Sequence, residues 1–482
     1  MVFDGPLPFF VFSVLRNVAV VSPNFRSKWL TLLAAALVAS LLKTTDLPAS
    51  DTYLLSSRRN EGDLQRVQVV IEVSGKVKLN ADGRKISKLP VRVKGELVYQ
   101  ERILEVKTDQ RTHARYYDQA KAVIQVGKTR HQATLPEDRR LLVSQADNHK
   151  VTLFSPLGPL SRDALELVDV QGSSAVVERL LPGKAVAIGD SWSHADTTLA
   201  TLLGLDVILQ NDAQSTLRTV EGPVAIIKLK GSVRGTVGGV STDVELNAVY
   251  NFDQDLGQVN WLAMSVKERR AIGHAEPGID ATARVRVGLT PLDEAPRLTD
   301  ESLAGYPLEY QPGAGLLDFR SHDGGFRFLH ARGWQVMIDR HDVAILRLIE
   351  RGDLIAQCNA SNLSQLKPGT QPQLAAFQTD VKRALGDKFG QFIEASQSQT
   401  KNGLKVLRAV VSGTVSELPI QWTYYHISSS SGRQVALVFT LESKLVERFA
   451  EADQVLVSSF EFLDSPAPTV ARTAGPHSAR VK

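Results

Sequence analysis

The chain has one cysteine, three methionines and aromatic residues at only 6% of its 482 positions. A single Cys358 excludes an internal disulfide and any site needing two thiolates from one chain, so packed apolar side chains must supply the stability. Cys358 lies in the strand-like run "LIAQCNAS", where a small buried hydrophobe is expected rather than a nucleophile. Charge of either sign is not in excess: 56 basic residues face 52 acidic ones. That balance gives no sign of the concentrated basic face that nucleic-acid binding requires. Phosphate-binding loops are lacking too. "GKAVAIGDS" (183–191) has no Gly-Lys-Ser/Thr ending, and "GSVRGTVGG" (231–239) reads as a strand with glycine-rich turns, so no cofactor is expected.

Long apolar runs are also scarce. Arg26 and Lys28 precede "WLTLLAAALVASLL" (29–42), an uncharged run of fourteen residues ended by Lys43. It falls short of the roughly 20 residues of a spanning helix. Positive charge followed by a short apolar stretch is the pattern of a secretory signal, so residues 1–50 are read as a signal or anchor segment. The protein is expected to be exported, to the periplasm or the cell exterior. The apolar "PLPFFVFSVLRNVAVV" upstream makes an uncleaved anchor the alternative. Membrane contact is expected only through this segment.

Residues 51–295 are read as one β-rich domain, in which the dominant period from about residue 64 to 290 is two. In "VQVVIEVSGKVKL" Val67, Val69, Ile71, Val73, Val77 and Leu79 share a face, while Gln68, Glu72, Ser74, Lys76 and Lys78 take the other. One dry and one wet face indicate an antiparallel sheet. "NADG" (80–83) supplies a turn, and "PVRVKGELVYQ" alternates again. The layout returns in "IIKLKGSVRG" and "TDVELNAVYNF"; both halves carry a strand with a central glycine, Gly75 or Gly231, so a duplicated meander is one reading. Between the halves, "SRDALELVDV" from Ser161 and "DTTLATLLGLDVIL" from Asp196 are expected helices.

Residues 296–318 contain several prolines and no sustained period and read as a linker. Residues 319–464 form a second domain. Strands are expected at "FRFLHA", "WQVMID", "VAILRLIE" and "LIAQCNAS", then a helix carrying Leu374, Phe377, Val381, Leu385, Phe389 and Phe392 at steps of three and four. Strands follow near 404–415, 419–427 and 433–441, and a last helix near 443–460. The tail, 465–482, is Pro-rich, poor in large apolar groups and expected to be disordered.

This order of elements, with the phrases "FRFLHARGWQVMID", "WTYYHISSSSGRQVALVFTLE" and "ADQVLVSSFEF", resembles the Mog1/PsbP-like domain. The resemblance implies an antiparallel sheet sandwiched by helices, in a family whose members mostly bind or help assemble other components. It carries over no catalytic residues. The first domain resembles, on strand layout alone, the curved sheets of exported lipoprotein carriers and lipid-binding proteins. The expected fold class is thus α+β: a curved antiparallel β-sheet domain with short helices, then a Mog1/PsbP-like domain.

Three stretches invite a chemical reading. "GDSW" places Ser191 after Gly-Asp, as in one esterase class, but no Asp-x-x-His block follows, and a turn fits better. "GHAEPG" sets His274 two residues from Glu276 and near Glu268, without a third metal ligand. "GGFRFLHARGWQVMIDRHD" (324–342) gathers His330, Asp339, His341 and Asp342, yet alternation splits them between strand faces and a turn. No catalytic, metal or cofactor residue is assigned. The expectation is an exported, non-enzymatic binding or assembly protein of the cell envelope, with an unidentified protein or envelope component as partner and no nucleic acid. Two alternatives stand: a hydrolase using Ser191 or the His274 region, and a carrier of an apolar ligand or lipid in the first domain.

Overall fold

The computed structural model describes residues 51–80, 86–107, 110–311, 313–321 and 323–463. The expected signal segment, most of the "NADG" turn and the C-terminal tail lie outside the described residues. Of the described residues, strands account for 57% and helices for 14%, a mainly antiparallel architecture compatible with the α+β class.

The first module opens with β1 (Thr52–Leu55) and then a meander: β2 (Leu64–Asn80), β3 (Ile86–Val106), β4 (Gln110–Val126), β5 (Thr129–Thr134), β6 (Leu141–Asp147) and β7 (Val151–Phe154). Three short helices follow, α1 (Arg162–Val168), α2 (Ser174–Val177) and α3 (Asp196–Leu203), with β8 (Lys184–Ala187) and β9 (Ser191–Ser193) between the last two. A second meander comprises β10 (Val207–Asn211), β11 (Gln214–Glu221), β12 (Val224–Val237), β13 (Val240–Asp253), β14 (Gln258–Arg270) and β15 (Gly278–Pro291). The two meanders join in one 13-stranded sheet because β2 pairs with β15, in unbroken register from Gln65↔Pro291 to Lys78↔Gly278. Its order is β7-β6-β4-β3-β2-β15-β14-β13-β12-β11-β9, with β5 on β4 and β10 on β12.

Alternation in sequence becomes a core along this sheet. Val67, Val69, Ile71, Val73, Val93, Leu97, Val266, Val285 and Val287 are buried beneath Leu165, Leu199, Leu202 and Leu203 of the helices. The sheet therefore curves around the helices with its apolar side inward. Two glycines permit the bending. A Cβ at Gly75 would lie 2.3 Å from the Asp280 carbonyl oxygen on the facing strand, and one at Gly231 would lie 2.3 Å from the Ala213 Cα where β10 turns into β11. Ser161 caps α1, its hydroxyl accepting from the Ala164 N–H at 3.1 Å. The helix expected to run on from Asp196 stops at Leu203 instead, because Gly204 takes a left-handed conformation and the chain re-emerges as β10.

After β15 the chain forms α4 (Asp300–Leu303), and Ala295, Leu298 and Leu303 pack on Ala114 and Leu141 of the first module. The second module then builds β16 (Leu317–Arg320), β17 (Phe326–His330), β18 (Trp334–Asp339), β19 (Val343–Glu350), β20 (Asp353–Asn362), α5 (Leu374–Leu385), β21 (Phe389–Gln399), β22 (Lys405–Val415), β23 (Leu418–Ser428), β24 (Gln434–Glu442), α6 (Val446–Phe449), α7 (Gln454–Ser458) and β25 (Glu461–Phe462). Seven strands form one sheet, β18-β19-β20-β24-β23-β22-β21, beside a small β16-β17-β25 sheet. Val381 and Leu385 of α5 cover one face through Val411 and Trp422, while Phe449, Leu456 and Phe460 cover the other through Trp334, Leu437 and Phe439.

Two expectations need correction here. The helix predicted through Phe392 ends at Leu385, and Phe389 and Phe392 belong to strand β21. The helix predicted over 443–460 is broken into α6 and α7, with Ala450 between them at φ 46°.

The modules meet along a polar seam. Arg162 donates to the carbonyls of Arg332 at 2.6 Å and Trp334 at 2.8 Å, and Arg347 donates to the His274 carbonyl. Two hairpin tips abut, so that a Cβ at Gly239 would overlap the Arg351 carbonyl and one at Gly352 would lie 2.6 Å from the Gly238 oxygen.

Candidate functional site

A cavity of about 450 Å³ lies between the inner face of the sheet and the helices. Its floor is Ile71 and Val73 of β2 with Val285 of β15, and Ile71 faces Val285 directly across the strand pair. The C-terminal end of α3 and the turn after it add Leu203 and Leu205. The loop after α1 is the roof. It is held to α3 because Gln171 Nε2 donates to the Leu203 carbonyl at 2.9 Å and the Gly172 N–H donates to the Leu202 carbonyl at 3.1 Å, satisfying carbonyls that a helix end leaves open.

The rim is polar. Asp147 Oδ1 shapes the β6–β7 turn, accepting from the N–H groups of His149 at 2.7 Å and Lys150 at 2.9 Å. Both side chains are exposed at the mouth, and the Lys150 ammonium forms no ion pair with a described residue. Tyr310 reaches the mouth from the segment after β15, its ring edge-on to Phe154 at 5.5 Å. Arg332 arrives from the second module, donating to the Leu153 carbonyl and, at 3.1 Å, to the Gly315 carbonyl. Both modules therefore build this opening. An aliphatic floor with a polar rim that carries both cations, Lys150 and Arg332, and carboxylates, Asp169 and Asp206, suits a small amphipathic molecule, and the volume falls within the roughly 300–1,000 Å³ of small-molecule sites.

The residues singled out from sequence are not brought together. Ser191 is exposed and its hydroxyl shares a hydrogen bond with Thr216 at 2.7 Å. The nearby His194 pairs through Nε2 with the buried Ser215 at 2.8 Å, and burial holds its imidazole down to about 4. Ser215 also accepts from the Tyr250 hydroxyl at 3.0 Å, so this contact is part of the core. His274 is exposed at a loop tip while Glu276 and Glu268 are buried. His330 is buried, its Nδ1 donating to the Ala331 carbonyl at 2.9 Å, whereas His341 and Asp342 lie exposed in the β18–β19 turn. Among the described residues no group of three or more His, Cys, Asp or Glu side chains could hold a metal ion.

Sequence reasoning missed the buried charges. Glu101 and Arg115 form an ion pair at 2.6 Å, and Glu268 and Arg270 another at 2.6 Å, all four nearly without exposure. A signal was present: Glu101 is in phase with Leu97, Tyr99 and Ile103, and Glu268 with Met264 and Val266. A charge in the inward phase of a strand calls for a buried partner.

No family model matches the chain, and no curated protein matches it. Among solved structures, it is similar to a protein of unknown function, PA94 from Pseudomonas aeruginosa, described as a putative regulator, at 12% identity and a TM-score of 0.20, covering 29% of this chain and 91% of that one. It is also similar to cyanobacterial PsbP (CyanoP) from Synechocystis sp. PCC 6803, at 18% identity and a TM-score of 0.24, covering 32% of this chain and 99% of that one.

Proposed function

We infer that the protein is a non-enzymatic binding protein that holds a small amphipathic ligand, with an apolar part and a polar end, in the first module. One observation carries this reading: the 450 Å³ cavity with its aliphatic floor and its polar rim of Lys150, Tyr310, Arg332, Asp169 and Asp206. The second module, of PsbP-like kind by its order of strands and helices, closes one side of the opening and offers a surface for a partner protein. The charged and then apolar stretch at residues 26–43 supports an exported protein that meets its ligand at the cell envelope. A hydrolase reading has less support, because Ser191 is engaged with Thr216 and His194 with Ser215.

Native mass spectrometry of the full-length protein, purified from its own host, tests the reading. A bound lipid-sized mass is expected, and it should be lost when Thr201→Trp, on the part of α3 that lines the cavity, fills the space while thermal unfolding stays unchanged. A clean apo mass from the unaltered protein refutes ligand binding. Ser191-dependent turnover in a panel of esterase and peptidase substrates, absent in Ser191→Ala, restores the hydrolase.

A further inference from the structure

The outer face of the 13-stranded sheet concentrates positive charge that the overall composition conceals. Strand register places its side chains in cross-strand rows. One row carries Lys228, Arg286 and Lys121 with Glu96; the next carries Lys230, Arg284 and Lys94 with Glu72. A third holds Lys267, Arg92 and Arg130 with Glu245, and a fourth Arg234, Arg269 and Lys76 with Asp243 and Asp280. All twelve basic side chains are exposed. They stand against five acidic ones, an excess of seven where the whole 482-residue chain has an excess of four.

Ion pairs neutralise only the borders of this face. Glu245 takes Lys267 at 3.0 Å and Arg269 at 2.6 Å, Asp243 takes Arg234 at 3.0 Å, and Glu96 takes Lys121 at 3.3 Å. Lys228, Lys230, Arg284, Arg286, Arg92 and Lys94 form no ion pair with a described residue. The four rows lie where the ladders have no register shift, so the cations form a regular lattice. Eight strands at about 4.8 Å spacing make it roughly 30 Å long, and alternate residues in four rows make it roughly 20 Å wide.

We propose that this outer face docks on a bilayer containing anionic phospholipids. A broad lattice of separated cations on the convex side of the sheet suits the phosphate headgroups of a deformable bilayer, each basic residue near such a surface contributing about 1 kcal/mol, or about fivefold in binding. The apolar residues within it favour a membrane over nucleic acid. Val249, Ala263 and Val70 lie in the same row as Lys228 and Arg286, and Trp261, 37% exposed, stands beside them on β14. Interfacial tryptophan and short apolar groups bury in the headgroup region, whereas a phosphodiester backbone makes no use of them. This surface is independent of the ligand reading, because the cavity opens on the opposite face of the sheet.

The test is sedimentation of the full-length chain with vesicles of phosphatidylcholine, alone or mixed with phosphatidylglycerol, at low and high salt. Any binding through residues 26–43 is common to the unaltered chain and the variant and sets the baseline. The expected result is a preference for the anionic vesicles that salt abolishes and that falls at least about tenfold in Lys230→Glu/Arg284→Glu/Arg286→Glu. Circular dichroism establishes that the variant is folded, and the salt series run on both chains separates the outer face, lost in the variant, from the basic residues near the N-terminus, kept in it. Equal binding to both vesicles, a preference that survives high salt, or full retention by the folded variant overturns the proposal. Binding to duplex DNA without a preference for anionic vesicles overturns it as well and assigns the face to nucleic acid.

Discussion

Arg115 Nε donates to Glu101 Oε2 at 2.6 Å across strands β4 and β3, and neither group reaches solvent. The remaining capacity of the pair is taken up locally. Gln65 Nε2 donates to Glu101 Oε1 at 2.6 Å, Ser174 Oγ donates to Oε2 at 2.8 Å, and Arg115 donates onward to Ser173 at 3.1 Å and Ser174 at 3.0 Å. The network fastens the start of α2, and with it the roof of the cavity, to the sheet. Arg115→Met should therefore cost about 3–5 kcal/mol by stranding a buried carboxylate. In urea denaturation, a loss below about 1 kcal/mol would mean that water reaches the site.

Acid should unfold the first module in two steps. Burial opposes the charged form of Glu101, but Arg115, with further help from His113 and Ser174, outweighs it and brings the carboxyl to about 2. Its stabilisation is complete above the unfolded value of 4.5 and is lost as pH falls through about 2. His113 is lowered to about 4, chiefly by burial, and its contribution disappears between pH 6.5 and 4. Thermal melts against pH should show a first decline below 6.5, to which the buried His194, also lowered to about 4, contributes as well; His113→Gln should shrink that first step and leave the second in place.

Glu166 predicts the opposite slope. Burial raises its carboxyl to about 8 in spite of Arg162 beside it at 3.6 Å. The protonated form is the one the fold tolerates, so its contribution is present below 4.5 and declines as pH rises through about 8. Arg162 also bridges to the second module, so limited proteolysis between the modules should quicken from pH 6 to 9. Glu166→Gln should flatten that rise; an unchanged profile would place the titration elsewhere.

Cys358 reports on the second module. It is fully buried, and burial pushes its thiol well above the ordinary range. The native protein should not react with thiol reagents. Trp334 packs edge-on to Phe439 at 5.7 Å and Phe449 at 6.4 Å, and Trp334→Ala should cost about 3–5 kcal/mol, raising the labelling rate of Cys358 about a hundredfold or more.

Local pattern carried much of the architecture and little of the site. Alternation sorted Val67, Val69, Ile71 and Val73 to the buried face, because facing depends only on the residue and its parity. Parity does not say which strand lies alongside, and the pairing of β2 with β15 is therefore invisible locally. The misread helix has a cause in the ladder itself. Register shifts between Phe389 and Gln391 and between Phe392 and Glu394 insert extra residues, so two phenylalanines three apart face the same cluster and imitate helical spacing. The cavity draws on residues as distant as Ile71, His149, Leu203, Val285 and Arg332, and the basic outer face on strands from both meanders, so neither leaves a contiguous trace.

The β2–β15 junction sets a timetable for biosynthesis. Residue 78 leaves the ribosome about 200 residues before its partner at 278, an interval on the order of 10–40 s at ordinary elongation rates. Throughout that interval the middle of the sheet is a naked strand edge of fourteen residues rich in valine, open to pairing with any neighbouring chain. A nascent-chain holdase, or slow delivery of one molecule at a time, is what this topology asks of the cell that makes it.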